Sequence, residues 1–188
     1  MKKINKRNRI IFIFSFIVLM SFLFIILGNI GSKTLYPIKY EDEIKKYCKE
    51  YNVDETLMLA IIKTESNFQS DAVSSVGALG LTQMLPETFD WLQSKTGDDL
   101  PDEALFNSEI SIRYGTMLVG FLLEEFDGNI ETAAAAYHAG IGIVSEWLED
   151  PDLSSDGVTL KDIPYDDTKY YVETIKSTLD IYRKLYEK

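Results

Sequence analysis

The sequence predicts a mainly α-helical domain carried behind a single N-terminal membrane-spanning helix. Three observations predict it: an apolar run at residues 10–27, helical spacing of apolar residues in segment after segment beyond it, and no stretch of sustained β-type alternation. With 188 residues, 46% of them hydrophobic, and a formal charge of −11, the chain has room for one folded domain besides that run.

Residues 10–27 are apolar except for Ser15 and Ser21, and at about 1.5 Å per residue a helix of that length roughly matches the hydrocarbon thickness of a bilayer. Residues 1–9 carry Lys2, Lys3, Lys6, Arg7 and Arg9 and no acid, which places the N-terminus in the cytoplasm and everything after Gly28 outside. A cleaved signal peptide, which would leave the domain secreted, is the competing reading. The apolar run is longer than the ~7–15 residues usual for a signal, and Gly-Asn-Ile-Gly-Ser after it offers no A-x-A-like cleavage site. Residues 28–40, with Gly28, Gly31, Ser32 and Pro37, read as a tether that reaches about 40 Å at most. The domain at 41–188 is therefore expected to work close to the outer membrane face.

Within that domain Ile44, Tyr47, Cys48 and Tyr51 make a helical stripe over 41–51. Asp54 is a candidate N-cap for a buried helix from about 54 to 65. Pro86 reads as the first residue of a helix carrying Phe89 and Leu92, and Asn107 or Ser108 as the cap of a long helix reaching about Phe126. Gly128-Asn129 breaks the chain before an alanine-rich helix over 130–137. Residues 149–166, rich in Asp, Ser and Pro, read as a long loop, and a last helix runs from about 168 to 186.

Charge excludes one class of partner. The five basic residues of the N-terminus leave 14 of the 19 Lys and Arg against all 30 Asp and Glu, about −16 for the exported part. Such a surface repels phosphate backbones, so nucleic acid is not an expected partner. One His and one Cys cannot build a zinc site of the usual kinds, and neither metal nor cofactor is expected. His138 lacks the nucleophile-elbow context of a Ser-His-Asp hydrolase, and Cys48, on an apolar stripe, reads as an inert core thiol.

The residue that points to chemistry is Glu65, at the end of the run Leu57-Met58-Leu59-Ala60-Ile61-Ile62. Partial negative charge at a helix C-terminus and withdrawal of water by apolar neighbours both oppose ionisation of its carboxyl. A carboxyl so placed keeps a proton to donate near neutral pH. The loop after it, Ser74-Ser75-Val76-Gly77-Ala78-Leu79-Gly80-Leu81-Thr82-Gln83, combines turn glycines with hydroxyls and an amide that suit a sugar.

Four ordered motifs extend this reading: Glu65-Ser66-x-Phe68; Ser74-x-x-Gly77-Ala78-x-Gly80-Leu81-x-Gln83; Ala136-Tyr137-His138-Ala139-Gly140; and Thr168-Lys169-x-Tyr171-Val172. Together they resemble the catalytic domain of the soluble-lytic-transglycosylase-type peptidoglycan lyases, in the lysozyme-like family, over about residues 42–185. The resemblance implies a mainly α, lysozyme-like fold and a cleft for peptidoglycan glycan strands, cleaved after muramic acid with a 1,6-anhydro product. It implies Glu65 as the sole catalytic acid and base. It further implies Ser74 near the carboxyl or the substrate acetamido group, Gln83 lining the cleft, Tyr137 beside the glutamate, and Tyr171 from the last helix.

Four positions depart from the family pattern: Thr82 for methionine, His138 for asparagine, and Asp167 and Lys169 for a Glu and Arg flanking the threonine. Thr82 is expected to shorten a cleft wall, and His138 to make local hydrogen bonding pH-dependent. Asp167 and Lys169 are expected to keep the charges of the usual pair. Water-accepting hydrolysis, or a glycan-binding module without turnover in a wall-spanning assembly, stand as alternatives. The sequence names no protein partner.

Overall fold

The computed structural model describes residue 20 and residues 31–187. The basic segment 1–9, expected to be cytoplasmic, and all of the apolar run 10–27 except Met20 lie outside the described residues. Among the described residues no helix is long and apolar enough to cross a membrane. The chain divides into two units, Met1–Pro37 and Ile38–Lys188. In the first, residues 31–35 are helical.

The second unit is built from seven α-helices among the described residues: α1 (Glu41–Tyr51), α2 (Glu55–Ser66), α3 (Pro86–Thr96), α4 (Ser108–Glu125), α5 (Ile130–Ala139), α6 (Ile141–Glu149) and α7 (Asp166–Tyr186). A 3₁₀ turn, Asp102–Phe106, precedes α4. Extended pairing is confined to isolated bridges: Val73 with Leu79, Leu79 with Met84, and Ser154 with Leu160.

Local chemistry explains most of the boundaries. The Asp54 carboxylate accepts from the backbone N–H of Thr56 at 2.7 Å and of Leu57 at 3.0 Å, satisfying two orphan donors at the start of α2. Asn107 does the same for α4, and Asn129 accepts from the Thr132 N–H at the start of α5. Pro86 opens α3 where a missing N–H costs nothing, and Gly97, at φ +79°, closes it.

α2 is the axis of the unit. Thr56 through Ile62 are all buried, because α1 and α7 pack against it. Full burial of each Leu, Met or Ile side chain there stabilises the fold by about 1.5–3 kcal/mol. α1 also packs on α4, and α5 sits among α4, α6 and α7. Met84, Phe89, Leu92, Leu105 and Tyr114 form a further core cluster joining α3, the 3₁₀ turn and α4.

Two segments differ from the sequence expectation. The alanine-rich helix continues past Tyr137 to Ala139, and α6 follows directly from Gly140, whose φ of +94° turns the chain. Ile141, Val144 and Trp147 recur at helical spacing, and the burial of Val144 and Trp147 explains why this segment is a helix. The loop from 150 to 165 is pinned rather than featureless. The Asp156 carboxylate is held down to about 2 by the backbone N–H groups of Thr159 and Val158, and Thr132 donates to the Val158 oxygen at 2.8 Å.

Candidate active site

Glu65 lies in the last turn of α2, and the backbone beyond it reverses abruptly. Asn67 and Phe68 both adopt left-handed φ, +51° and +63°, which is costly for a bulky side chain and is held here by burial of Phe68. The Ser66 hydroxyl donates to the Leu81 oxygen at 2.8 Å, tying the helix end to the loop that returns across it.

That loop needs its glycines. A Cβ on Gly80 would stand 2.0 Å from the Leu105 oxygen, and φ there is +75°, so no other residue fits. Gln83 is itself left-handed, at φ +45°. Its amide donates to the backbone oxygens of Ala72 at 3.1 Å and Gly80 at 2.9 Å, locking the loop's two sides together. The Ser74 hydroxyl accepts from the Ala78 N–H at 2.9 Å.

These elements enclose a pocket of about 270 Å³. Glu65, Ser74, Gln83, Tyr137 and His138 all line it, together with Val76, Leu85, Thr88 and Leu118. Among the described residues that line it, Glu65 carries the only carboxyl. Burial pushes that carboxyl from 4.5 up to about 7, even though the hydrogen bond from Tyr171 pulls the other way.

Tyr171 does not line the pocket. It is buried behind Glu65 on α7, and its hydroxyl donates to Glu65 Oε1 at 2.6 Å. Burial, and next the Glu65 charge, hold its own pKa well above 10, so it stays a donor at any working pH. Tyr137 is also held well above 10, by burial and then by Glu65, and its hydroxyl donates to the Thr82 oxygen at 2.6 Å. The two tyrosines divide the work: one orients the carboxyl, the other ties α5 to the loop. His138 is exposed, with Nδ1 3.0 Å from the Thr168 hydroxyl and its ring stacked 4.7 Å from that of Tyr171.

One expectation from the departing positions needs correction. Thr82 does not shorten a cleft wall, because it is fully buried and absent from the pocket lining. The turn ending at Gln83 aims it inward onto α4, where Gly115 makes room: a Cβ there would meet Thr82 Cγ2 at 2.4 Å. Its hydroxyl lies 3.1 Å from the Ser111 hydroxyl and 3.2 Å from the Ser111 oxygen. Asp167 and Lys169 keep their charges and engage different partners. Asp167 accepts from the Thr168 N–H at 2.8 Å, and Lys169 reaches Asp162 at 2.6 Å, since neighbours two apart on a helix face different ways.

Sequence reasoning passed over Val76, Leu85, Thr88 and Leu118 as pocket walls. Leu118 was legible only as one of a run of apolar residues in α4, and the others as ordinary loop or helix-start residues. No pattern marks which apolar residue faces a cleft.

Fold and pocket define a class: an all-helical domain with a polar cleft built around one protonatable glutamate. The family described as Transglycosylase SLT domain matches residues 42–156, and the chain belongs to that family. A soluble lytic murein transglycosylase of Escherichia coli K12 is 30% identical over 152 residues, 79% of this chain and 23% of that protein. Membrane-bound lytic murein transglycosylase C of Edwardsiella ictaluri is 36% identical over 116 residues, 56% of this chain and 32% of that protein. The solved structure of an inactive mutant of the lytic transglycosylase Slt from Pseudomonas aeruginosa superposes with a TM-score of 0.69 at 31% identity. It covers 79% of this chain and 24% of that one. The chain thus spans from a quarter to a third of the length of these relatives.

Proposed function

We propose that the chain is a membrane-anchored lytic transglycosylase of peptidoglycan, acting on the outer side of the membrane through Glu65. Family membership supports the reaction class, since the relatives are named as lytic murein transglycosylases. The anchor rests on the apolar run at 10–27 and the basic residues before it.

The observation that carries the reading is a buried carboxyl, pushed up to about 7, that is the only one lining its pocket among the described residues. Glycosidases that hydrolyse with two carboxylates hold them about 5–9.5 Å apart across the scissile bond. With one, the 6-hydroxyl of the substrate can supply the nucleophile in place of a second carboxylate. Neutral Glu65 gives its proton to the bridging oxygen as the bond from that oxygen to the muramic acid anomeric carbon breaks. The resulting carboxylate, held by Tyr171, then takes the proton of the same sugar's 6-hydroxyl while that oxygen attacks the anomeric carbon. The 1,6-anhydro ring closes and Glu65 is protonated again, ready for the next strand. Ser74 and Gln83 hold the polar wall against which the sugar and its acetamido group sit.

The test is the mass of the products released from intact sacculi. The anhydro sugar is lighter by one water than the product of hydrolysis, and Glu65→Gln is expected to abolish release while leaving glycan binding in place. Products carrying the extra water would make the chain a hydrolase. Binding without any release would make it a wall-binding module.

A further inference from the structure

Thr168 and Tyr171 stand three residues apart near the start of α7 and so share a face, and His138 of α5 lies against both. Its ring stacks 4.7 Å from that of Tyr171 at an interplanar angle of 29°, and its Nδ1 is 3.0 Å from the Thr168 hydroxyl. Thr168 is 1% exposed, and among the described residues Nδ1 is the partner its hydroxyl has. A buried hydroxyl that only accepted would leave its own proton without an acceptor, so Thr168 donates and Nδ1 accepts. The proton of the neutral imidazole then sits on Nε2. Buried Thr168 thus fixes the tautomer.

With Nδ1 turned to Thr168, Nε2 is turned away from it, and no described residue engages Nε2. His138 is exposed and lines both the catalytic pocket and an adjoining groove of about 460 Å³, so it stands where the two meet. Among the described residues lining the catalytic pocket, only Gln83 and His138 carry side-chain nitrogen. The Gln83 amide already donates to the oxygens of Ala72 and Gly80, and the Tyr137 hydroxyl to that of Thr82. The Ser74 and Thr88 hydroxyls can rotate to donate or accept. Nε2–H differs from them: it can only donate, in a direction set by a ring that Thr168 holds at one edge and Tyr171 on one face.

We propose that His138 is a substrate-contacting residue whose Nε2–H donates a hydrogen bond to the acetamido carbonyl of a sugar lying across the junction of pocket and groove. A donor of fixed direction needs an acceptor of fixed character. Glycan hydroxyls both donate and accept, whereas the amide carbonyl only accepts and is the strongest neutral acceptor on an N-acetylated sugar. A de-N-acetylated sugar would present an ammonium in its place, and two donors would face each other. The proposal rests on the lytic transglycosylase reading and adds a discriminating residue to it: His138 tells N-acetylated strands from de-N-acetylated ones.

The test uses the full chain in mild detergent. His138→Phe keeps a ring to stack on Tyr171 but has no nitrogen. It is expected to lower kcat/KM on N-acetylated glycan strands about threefold to tenfold, mainly through KM, and to leave partly de-N-acetylated strands nearly unaffected. His138→Asn, which restores an N–H donor of shorter reach, is expected to recover part of the loss. Equal losses on both strands would make the histidine a structural brace only, and no loss on either would leave it no contact; both outcomes overturn the proposal. Because the chain has one histidine, ring-labelled nitrogen NMR reads this side chain alone. At about pH 8 the proton is expected on Nε2, with Thr168→Val admitting the other tautomer, and the Nε2 signal of Glu65→Gln is expected to move as N-acetylated strands are added. A proton on Nδ1 in the wild type, or an Nε2 signal unmoved by saturating strands, overturns the proposal. Cleavage of neither substrate by the wild type would instead sink the proposed reaction, and the ring signals, which need no turnover, then decide the contact.

Discussion

Replacing Glu65 by glutamine separates what the carboxyl costs the fold from what it does for chemistry. Its folded value of about 7 against an ordinary 4.5 means that the native chain holds this proton more tightly than the unfolded chain does. Below 4.5 both states are protonated and the full stabilisation of the neutral acid is present. As pH rises through about 7 the native state must ionise a buried group, and that stability is lost. At about 1.36 kcal/mol per pH unit the whole span corresponds to about 3 kcal/mol, reduced to about 2 by the water that reaches the open pocket. Glutamine keeps the shape and still accepts the Tyr171 hydrogen bond, but never ionises. The variant should thus gain about 2 kcal/mol over the wild type between about pH 4 and about pH 8, while losing cleavage. Urea unfolding of both full chains in the same detergent across that range measures the gap. A gap that does not widen with pH would mean that Glu65 is not desolvated, and the argument for a proton donor near neutral pH would fail with it.

In the proposed reaction the same proton governs activity. Cleavage needs neutral Glu65, so kcat/KM should fall as pH rises through about 7, and Tyr171→Phe, which removes a bond that favours the charged form, should move that alkaline limb upward by about one pH unit. A limb that stays in place would show that the hydrogen bond does not tune the acid. Gly80→Ala must adopt a left-handed φ and push a Cβ into the Leu105 oxygen, so it should cost about 2–4 kcal/mol in denaturant unfolding and distort the loop bearing Ser74 and Gln83. Burial pushes the Cys48 thiol up to about 12, so it should resist iodoacetamide near pH 8 in the native chain and react once urea unfolds it. Rapid native alkylation would contradict its place in the core.

Helices were legible where a cap and a stripe coincided. Asp54 before Leu57–Ile62, Pro86 before Phe89 and Leu92, and Asn107 before Ile112 each combine a local hydrogen-bond signal with a periodic apolar face, and each begins where expected. α6 was missed because its signal is short and its start is Gly140, which reads equally well as the end of α5. Thr82 was misplaced for a different reason. Its neighbour in sequence, Gln83, does line the pocket, and only the left-handed turn at Gln83 together with the space above Gly115 sends the Thr82 side chain the other way.

The sequence by itself determined the apolar N-terminal run, the helical content, and the candidate acid with its ordered companions, because each is written in local spacing: a cap, a periodicity, a motif. Only the tertiary structure decided what surrounds that acid. Tyr171 lies 106 positions from Glu65 along the chain, and the Tyr137 hydroxyl meets a carbonyl 55 positions away. Contacts at such separation come from how α2, α5 and α7 pack, and packing is settled by the shape of the whole core. A carboxyl's readiness to hold a proton near neutral pH is a property of that packed surrounding, which no stretch of sequence contains.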